Sequence, residues 1–445
     1  MKNNIDFTTG PIYSKIIKFA IPVFLGQLFQ ILYNTTDAII VGKFISSSAL
    51  AAVTSSAALI NMIVSFFLGL AMGAAIVISK FYGAKDYEKL NKAVHTDVAF
   101  AFIVGILVAI VSSLLTPKFL LMMNIPDDIM VESTQYFKIY CYGLFFTVVY
   151  NISMGIMNAL GDTRFPLFCL IFSSILNVIL DLFFIAVLGY GVGSAAFATL
   201  IAQACSSAFC MIRLIKGKSV VKVNIKDIKI DVPIFKEICR LGIPSSIQNS
   251  VVSFSNVVIQ STVNTFGATV IAGTGIFIKI ENYVFIPITS VSMALVTFMG
   301  QNMGAKDLNR AKKGSIFGIY LIMVLSIIVS VIIYAYTPLF ATAFTNDEAV
   351  IEIAKLRGVI QSPFFIFLGL SHIFAAILRG SGLPKVSMMV MVCVWCVGRV
   401  LYLKLALLVS PTVAVVFSAH PVTWCISTTI YIIYYTRGKW MKNFK

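Results

Sequence analysis

The sequence predicts an all-α polytopic membrane protein: twelve transmembrane helices in two six-helix bundles related by a parallel internal repeat. Three observations carry this. The first is composition. Of 445 residues, 59% are hydrophobic and only 12% charged, and the mean hydropathy is +0.94. A soluble domain has about 25% charged residues and must keep a water-soluble surface. A soluble enzyme, a disordered chain and a nucleic-acid-binding domain are therefore excluded. At roughly 20 apolar residues per span, the length holds about twelve helices. The second observation is that basic residues fall in alternate connections. The third is that the second half of the chain echoes the first.

Taken in order, apolar runs between breakers place helices near 15–41, 49–79, 91–116, 133–160, 166–188, 191–215, 238–265, 269–302, 313–336, 350–380, 384–408 and 411–436. Pro22 and Pro244 lie early in the first and seventh, as kinks or helix-start prolines. Gly189-Tyr190-Gly191-Val192-Gly193 and Gly380-Ser381-Gly382 follow apolar spans rather than strands and read as tight turns, not nucleotide loops. The eight cysteines, Cys393 and Cys396 included, sit in apolar runs and read as buried thiols. No cleavable signal peptide is expected at the N-terminus.

The net charge of +16 follows from 34 Lys and Arg against 18 Asp and Glu. With the N-terminus inside, the inner connections hold 26 basic residues and the outer ones 2, Lys43 and Lys118. This asymmetry places both termini in the cytoplasm of a plasma (inner) membrane protein. Only Lys138, Lys279, Lys355, Arg357, Arg399 and Lys404 remain within spans. The longest polar connection divides the chain into an N-terminal bundle 1–216, a basic linker 217–237 and a C-terminal bundle 238–445. An amphipathic piece of the linker is expected on the inner membrane surface.

Residues 82–94, YGAKDYEKLNKAV, match 303–315, MGAKDLNRAKKGS, at five of thirteen positions with a constant offset of 221. Phe19-Ala20-Ile21-Pro22 is echoed by Leu241-Gly242-Ile243-Pro244. Ala159-Leu160-Gly161 before Pro166 is paired with Leu378-Arg379-Gly380 before Pro384, with one residue of slippage. Each half has an even number of spans, so both enter from one side, and the expected symmetry axis runs along the membrane normal. Such a duplication suits a carrier that rocks between two openings.

Three acids lie well inside spans: Asp37, Asp181 and Glu281. Placing an ionised Asp at mid-membrane costs about 2.5–3.5 kcal/mol, so an intramembrane carboxylate is a functional candidate. Counted from the outer span ends, Asp37, Asp181 and Thr199 lie roughly 9, 10 and 12 Å deep at 1.5 Å per residue. Asn177 shares the Asp181 face one turn deeper. These four are expected to meet inside the first bundle. Their oxygens suit a small hard cation such as Na⁺, and two close carboxyls equally suit a proton. Glu281 either contacts a cationic substrate or pairs with Arg399 or Lys404. Lys279, two residues away on another face, is not its partner. His372 and His420 read as packing residues.

At this point the chain resembles the MATE (multidrug and toxic compound extrusion) family. The marks are IPVFLGQLFQILYNTTDAIIVG in the first span, GAKD after the second, NALGDTRFPL after the fourth, GYGVGSAAFATLIAQ opening the sixth and GQNMGAKDLNRAKK after the eighth. Within the family it is more similar to the MepA-like and DinF-like bacterial branches than to the NorM-like one. The resemblance implies an antiporter exporting amphipathic organic cations by alternating access, driven by Na⁺ or H⁺, with no other cofactor, no nucleic acid and no obligate protein partner. It assigns Asp37, Asn177, Asp181 and Thr199 to the cation site, and more weakly Gln30, Tyr140 and Asn151 to the cavity lining. Spans seven and ten carry no matching central carboxylate, which departs from the NorM-like pattern. A lipid-linked saccharide flippase of the same superfamily is the alternative; it would use Lys138, Lys279, Arg399 and Lys404 around an anionic headgroup. An intramembrane protease would need a motif such as HExxH, which is absent from the sequence.

Overall fold

The computed structural model describes residues 4–45, 47–122, 127–217 and 220–444, with their side chains except at 38, 42, 47–59, 61–62, 122 and 127–129. Lys2, Lys218 and Lys445 of the basic count lie outside these. Twelve long helices run through the described residues, and no strand is present among them. They are α1 (Ile12–Phe44), α2 (Ser47–Gly83), α3 (Tyr87–Met122), α4 (Asp127–Ala159), α5 (Arg164–Val187) and α6 (Gly193–Lys216). The second half has α7 (Val232–Asn264), α8 (Ala268–Gly304), α9 (Leu308–Thr342), α10 (Glu348–Gly380), α11 (Pro384–Val409) and α12 (Val413–Thr436). Eleven are long and apolar enough to cross a membrane. The exception is α7, where Ser245, Ser246, Gln248, Asn249, Ser253 and Ser255 dilute the apolar run. The protein is multi-pass.

Most helices outrun the apolar segments that predict them. Polar residues beyond the hydrocarbon still favour helix, and side chains four apart support one another. At the start of α3, Lys92 reaches Glu88 at 2.7 Å. Three further prolines, Pro117, Pro287 and Pro338, sit inside helices with Pro22, Pro244 and Pro421.

The GAKD motif is a helix stop and a helix start in four residues. Lys85 N–H donates to the Tyr82 carbonyl at 3.1 Å and Asp86 N–H to the Phe81 carbonyl at 3.1 Å. That pair of bonds closes the end of α2 and requires a left-handed residue at its centre. Lys85 supplies it, with φ 55°. Asp86 then caps the next helix, accepting from Lys89 N–H at 3.1 Å. The second copy repeats every part. Lys306 has φ 56°, its N–H meets Met303 at 3.1 Å, Asp307 N–H meets Asn302 at 3.0 Å, and Asp307 accepts from Arg310 N–H at 2.9 Å.

The same turn also corrects the third echo. Gly161 (φ 83°) and Gly382 (φ 79°) each close a helix in this way, through Asp162 to Met157 and Leu383 to Leu378, both at 2.9 Å. Gly161 is thus equivalent to Gly382, not Gly380, and the offset of 221 holds without slippage. Composition alone misaligns them because Gly380 is the last residue of its helix, whereas Gly382 carries the left-handed turn.

The chain divides into two compact units. One comprises Met1–Asp6 with Leu25–Gly242, the other Phe7–Phe24 with Ile243–Lys445. The divisions fall inside α1, two residues past Pro22, and inside α7, one residue before Pro244. In the first unit, α4 is central and packs on α2, α3 and α6. Small buried residues of α6, Ala195, Ala196, Ala198 and Ala202, permit close approach of that helix. In the second unit, α8 packs on α9 and α10, and α10 on α12. There the amide of Phe7 is held by Gln301 Oε1 at 2.8 Å, and the Phe7 ring meets Phe19 and Phe298, both at 5.4 Å.

The amphipathic piece of the linker is an extended strap with one short turn, Ile225–Asp227. Val221 and Val223 are buried while Lys222 is exposed between them. Asn224 N–H donates to His95 Nε2 and Asp231 N–H to Thr96 Oγ1, each at 3.0 Å. The linker is therefore fastened to the first turns of α3. The buried-thiol expectation holds at Cys141, Cys169 and Cys210; Cys205, Cys239, Cys396 and Cys425 are half-buried and Cys393 is exposed.

Candidate cation site and family

Asp37 of α1 and Asp181 of α5 are buried, 9% and 0% exposed. Their carboxyls face each other within hydrogen-bonding reach. Asp181 is the last residue of the regular helix, and Leu182–Val187 continue as a π-helical turn. Such widening re-aims side chains and recurs at functional sites. Asn177, one turn earlier, is fully buried. Oriented by its neighbours, its amide donates to Asp181 Oδ2 at 2.9 Å and accepts from Thr199 N–H at 3.2 Å. Thr199 on α6 donates its hydroxyl to the Ala195 carbonyl at 3.0 Å and lies 3.4 Å from the Tyr33 hydroxyl. The four residues expected to meet, Asp37, Asn177, Asp181 and Thr199, are thus gathered on α1, α5 and α6 of one unit.

The donor set fits a small cation or a proton. Asp37 Oδ1 and Asp181 Oδ1 are both enclosed and have no hydrogen-bond partner among the described residues. Among the described residues no Lys or Arg forms an ion pair with either acid. Two buried carboxyls without a basic neighbour require an outside positive charge or a shared proton to be tolerated.

The weaker candidates divide. Tyr140 lies beside the four: its ring is 6.1 Å from that of Tyr136, and both pack in the core cluster that holds Ile40 and Val41 of α1 and Ala195 and Ala196 of α6. Gln30 is exposed. Asn151 spends its amide on the Thr147 carbonyl of its own helix at 2.8 Å. Neither is hydrogen-bonded to the carboxyl pair among the described residues. Tyr33 and Tyr136 were not singled out from the sequence. Tyr33 lies four residues before Asp37, so helical spacing alone could have found it.

Glu281 is almost enclosed. It is 8% exposed and its Oε2 is 3.2 Å from Arg357 Nη2 of α10. The expected partners are otherwise placed. Arg399 is held by Thr423 at 3.0 Å and Ser255 at 3.3 Å and stacks over Trp395 at 5.1 Å, and Lys404 is exposed. Arg357 lies between the rings of Phe277 and Phe417, at 5.2 and 5.6 Å, and bonds Gln361 at 3.4 Å. Gln361 in turn reaches His420 Nδ1 at 3.2 Å. Pairing, hydrogen bonds and aromatic faces together make a buried guanidinium tolerable. A fourth interior acid was missed. Asp97 is 1% exposed; hydropathy placed it near the start of span three, whereas α3 begins ten residues earlier.

Comparison with known proteins agrees with this architecture. The MatE family model matches residues 22–183 and again 244–403, once in each half. A Bacillus subtilis (strain 168) protein named probable multidrug resistance protein YoeA is 28% identical over 82% of this chain and 80% of its own length. The multidrug export protein MepA of Staphylococcus aureus (strain N315) is 22% identical over 84% of this chain and 83% of its own. A solved structure of a MOP superfamily transporter from Pyrococcus furiosus superposes with a TM-score of 0.92 at 22% identity, covering 99% of this chain and 98% of that one. The two family matches span most of the sequence: the chain belongs to the MatE family of membrane efflux transporters.

Proposed function

We propose that the protein is an antiporter that exports amphipathic organic cations across the plasma membrane, with both termini in the cytoplasm, and that Na⁺ or H⁺ entering the Asp37–Asp181 site drives the exchange. The observation that carries this is the pair of enclosed carboxyl oxygens, Asp37 Oδ1 and Asp181 Oδ1, which among the described residues have no hydrogen-bond partner and no ion pair with a Lys or Arg. A small cation or a proton supplies the missing charge. Its arrival removes the repulsion between the two acids and lets α1 and α5 draw together. Its departure restores that repulsion, so each ion event has a mechanical consequence within the unit. Asn177 holds Asp181 in place through both states, and Thr199 ties α6 to the same event. The names of the two bacterial relatives support a drug-like cargo.

The test is uptake of a cationic dye into inverted membrane vesicles, with Na⁺ and pH gradients imposed separately. One gradient is expected to drive uptake, and Asp37→Asn or Asp181→Asn to lower it at least tenfold at equal protein in the membrane. Wild-type uptake in both variants would end the proposal. Voltage contributes about 2.3 kcal/mol per 100 mV for each net charge moved; one-for-one exchange with a singly charged dye moves none, so a voltage effect would mean more than one ion per cargo.

A further inference from the structure

We infer that the cleft between the basic ends of α5 and α6 binds an anionic glycerophospholipid, its phosphate at Arg213 and Lys216 and its acyl chain along Phe168, Phe172 and Phe209. The cleft has a volume of about 490 Å³, in the range of small-molecule sites. Its polarity is ordered along the helix axes. Arg213 and Lys216 lie in the last turn of α6. Phe172 lies seven residues beyond Phe165 on α5, and Phe209 seven residues before Lys216 on α6. Both are therefore roughly 10 Å from the basic end. The chain order of a phospholipid, anion first and hydrocarbon after, matches this sequence of side chains.

The apolar part is built as a wall. Phe172 and Phe209 meet edge to face at 5.0 Å. Ser206 Oγ donates to the Cys169 carbonyl at 3.1 Å and fixes one helix on the other. Phe168 remains 57% and Ile212 50% exposed, a surface that only hydrocarbon covers favourably in a membrane protein. The polar part carries unspent charge. Asp162 approaches Arg213 through one nitrogen at 3.5 Å, and the guanidinium lies 5.1 Å over Phe165. Lys216 is exposed and forms no ion pair among the described residues. Among the described residues no carboxylate lines the cleft; Asp162 reaches it only through Arg213. An organic cation is repelled there, so the cleft is not an entry for the proposed cargo. An anion without a chain leaves the aromatic wall bare.

The full chain purified in neutral detergent, carrying Phe172→Trp, reports occupancy through quenching by dibrominated lipids. Subtraction of the parent protein removes the signal of Trp395, Trp424 and Trp440. Dibromo-phosphatidylglycerol is expected to quench at about fivefold lower mole fraction than dibromo-phosphatidylcholine for each engaged cation. Lys216→Gln in the same background is expected to erase about fivefold of that preference, and inorganic phosphate not to compete. Equal quenching by the two lipids, an unchanged preference in Lys216→Gln, or displacement by inorganic phosphate would each overturn the inference. Phe168→Trp serves as reporter if Phe172→Trp is not monodisperse. Neither outcome depends on dye transport.

Discussion

Asn177 joins Asp181 to Thr199: one side-chain amide donates to the carboxyl of α5 and accepts from the backbone of α6. It fixes one of two facing acids while leaving that acid's second oxygen open. Replacing it by alanine keeps both charges but frees Asp181 to turn. Asn177→Ala is expected to raise the driving-ion concentration for half-maximal dye uptake at least fivefold, with dye affinity unchanged. An unaltered ion dependence would show that Asn177 does not position the acid.

Glu281 and Arg357 form a buried ion pair, so removing one partner strands the other. Glu281→Gln is expected to destabilise the second unit by about 3 kcal/mol, read as a lower midpoint of thermal unfolding in detergent. Glu281→Leu with Arg357→Leu removes both charges and is expected to recover most of the loss. A single variant as stable as the parent would place Glu281 in water rather than against Arg357.

Gly161 and Gly382 share a left-handed turn but not a neighbourhood. A Cβ at Gly161 would lie 2.2 Å from the Ile5 carbonyl oxygen, whereas at Gly382 the nearest atom is 3.4 Å away. Gly382→Ala therefore meets only the backbone cost, about 1–2 kcal/mol. Gly161→Ala is expected to lower the unfolding midpoint further and to expose residues 4–6 to protease. Equal midpoints for the two variants would contradict the contact at Ile5.

Asp86, in the connection between α2 and α3, is held below the usual carboxylate range by its hydrogen bonds to Lys89. A group with a depressed native pKa stabilises the fold above its unfolded pKa, and the contribution disappears as pH falls through the native value. Protection of the Lys89 amide against hydrogen exchange is therefore expected to persist at neutral pH and to fall only in acid below the ordinary aspartate range. Loss near pH 6 would mean that the cap is not made by Asp86.

The linker contact gives a further variant. His95 Nε2 accepts from Asn224 N–H, and phenylalanine cannot. His95→Phe is expected to speed tryptic cleavage at Lys222 and Lys226 several-fold. Unchanged cleavage would assign the fastening to the buried Val221 and Val223 instead.

The spans and the carboxyl pair were legible for a common reason. Hydropathy sets where a helix enters the bilayer, and 1.5 Å per residue converts position into depth. Asp37, Asp181 and Thr199 were therefore brought to one level without knowing which helices touch. Lateral neighbours carry no such signal. Arg357, Arg399 and Lys404 all lie within spans, so the sequence does not choose among them as partners of Glu281; the adjacency of α8 and α10 is a packing outcome, and it selects Arg357. Asp97 escaped for a different reason: its helix begins in polar residues that hydropathy counts as loop.

The interior charges named above sort by sign. Among the described residues, the acids buried in the first unit are Asp37, Asp97, Asp162 and Asp181, and no Lys or Arg is buried with them. Among the described residues the second unit buries Arg357, Arg379 and Arg399, and of its acids only Glu281. Guanidinium does not give up its proton in proteins. Two halves of one repeated scaffold thus bury opposite signs: carboxyls, which a proton or small cation can neutralise and release, in the first, and guanidinium groups, whose charge is fixed, in the second.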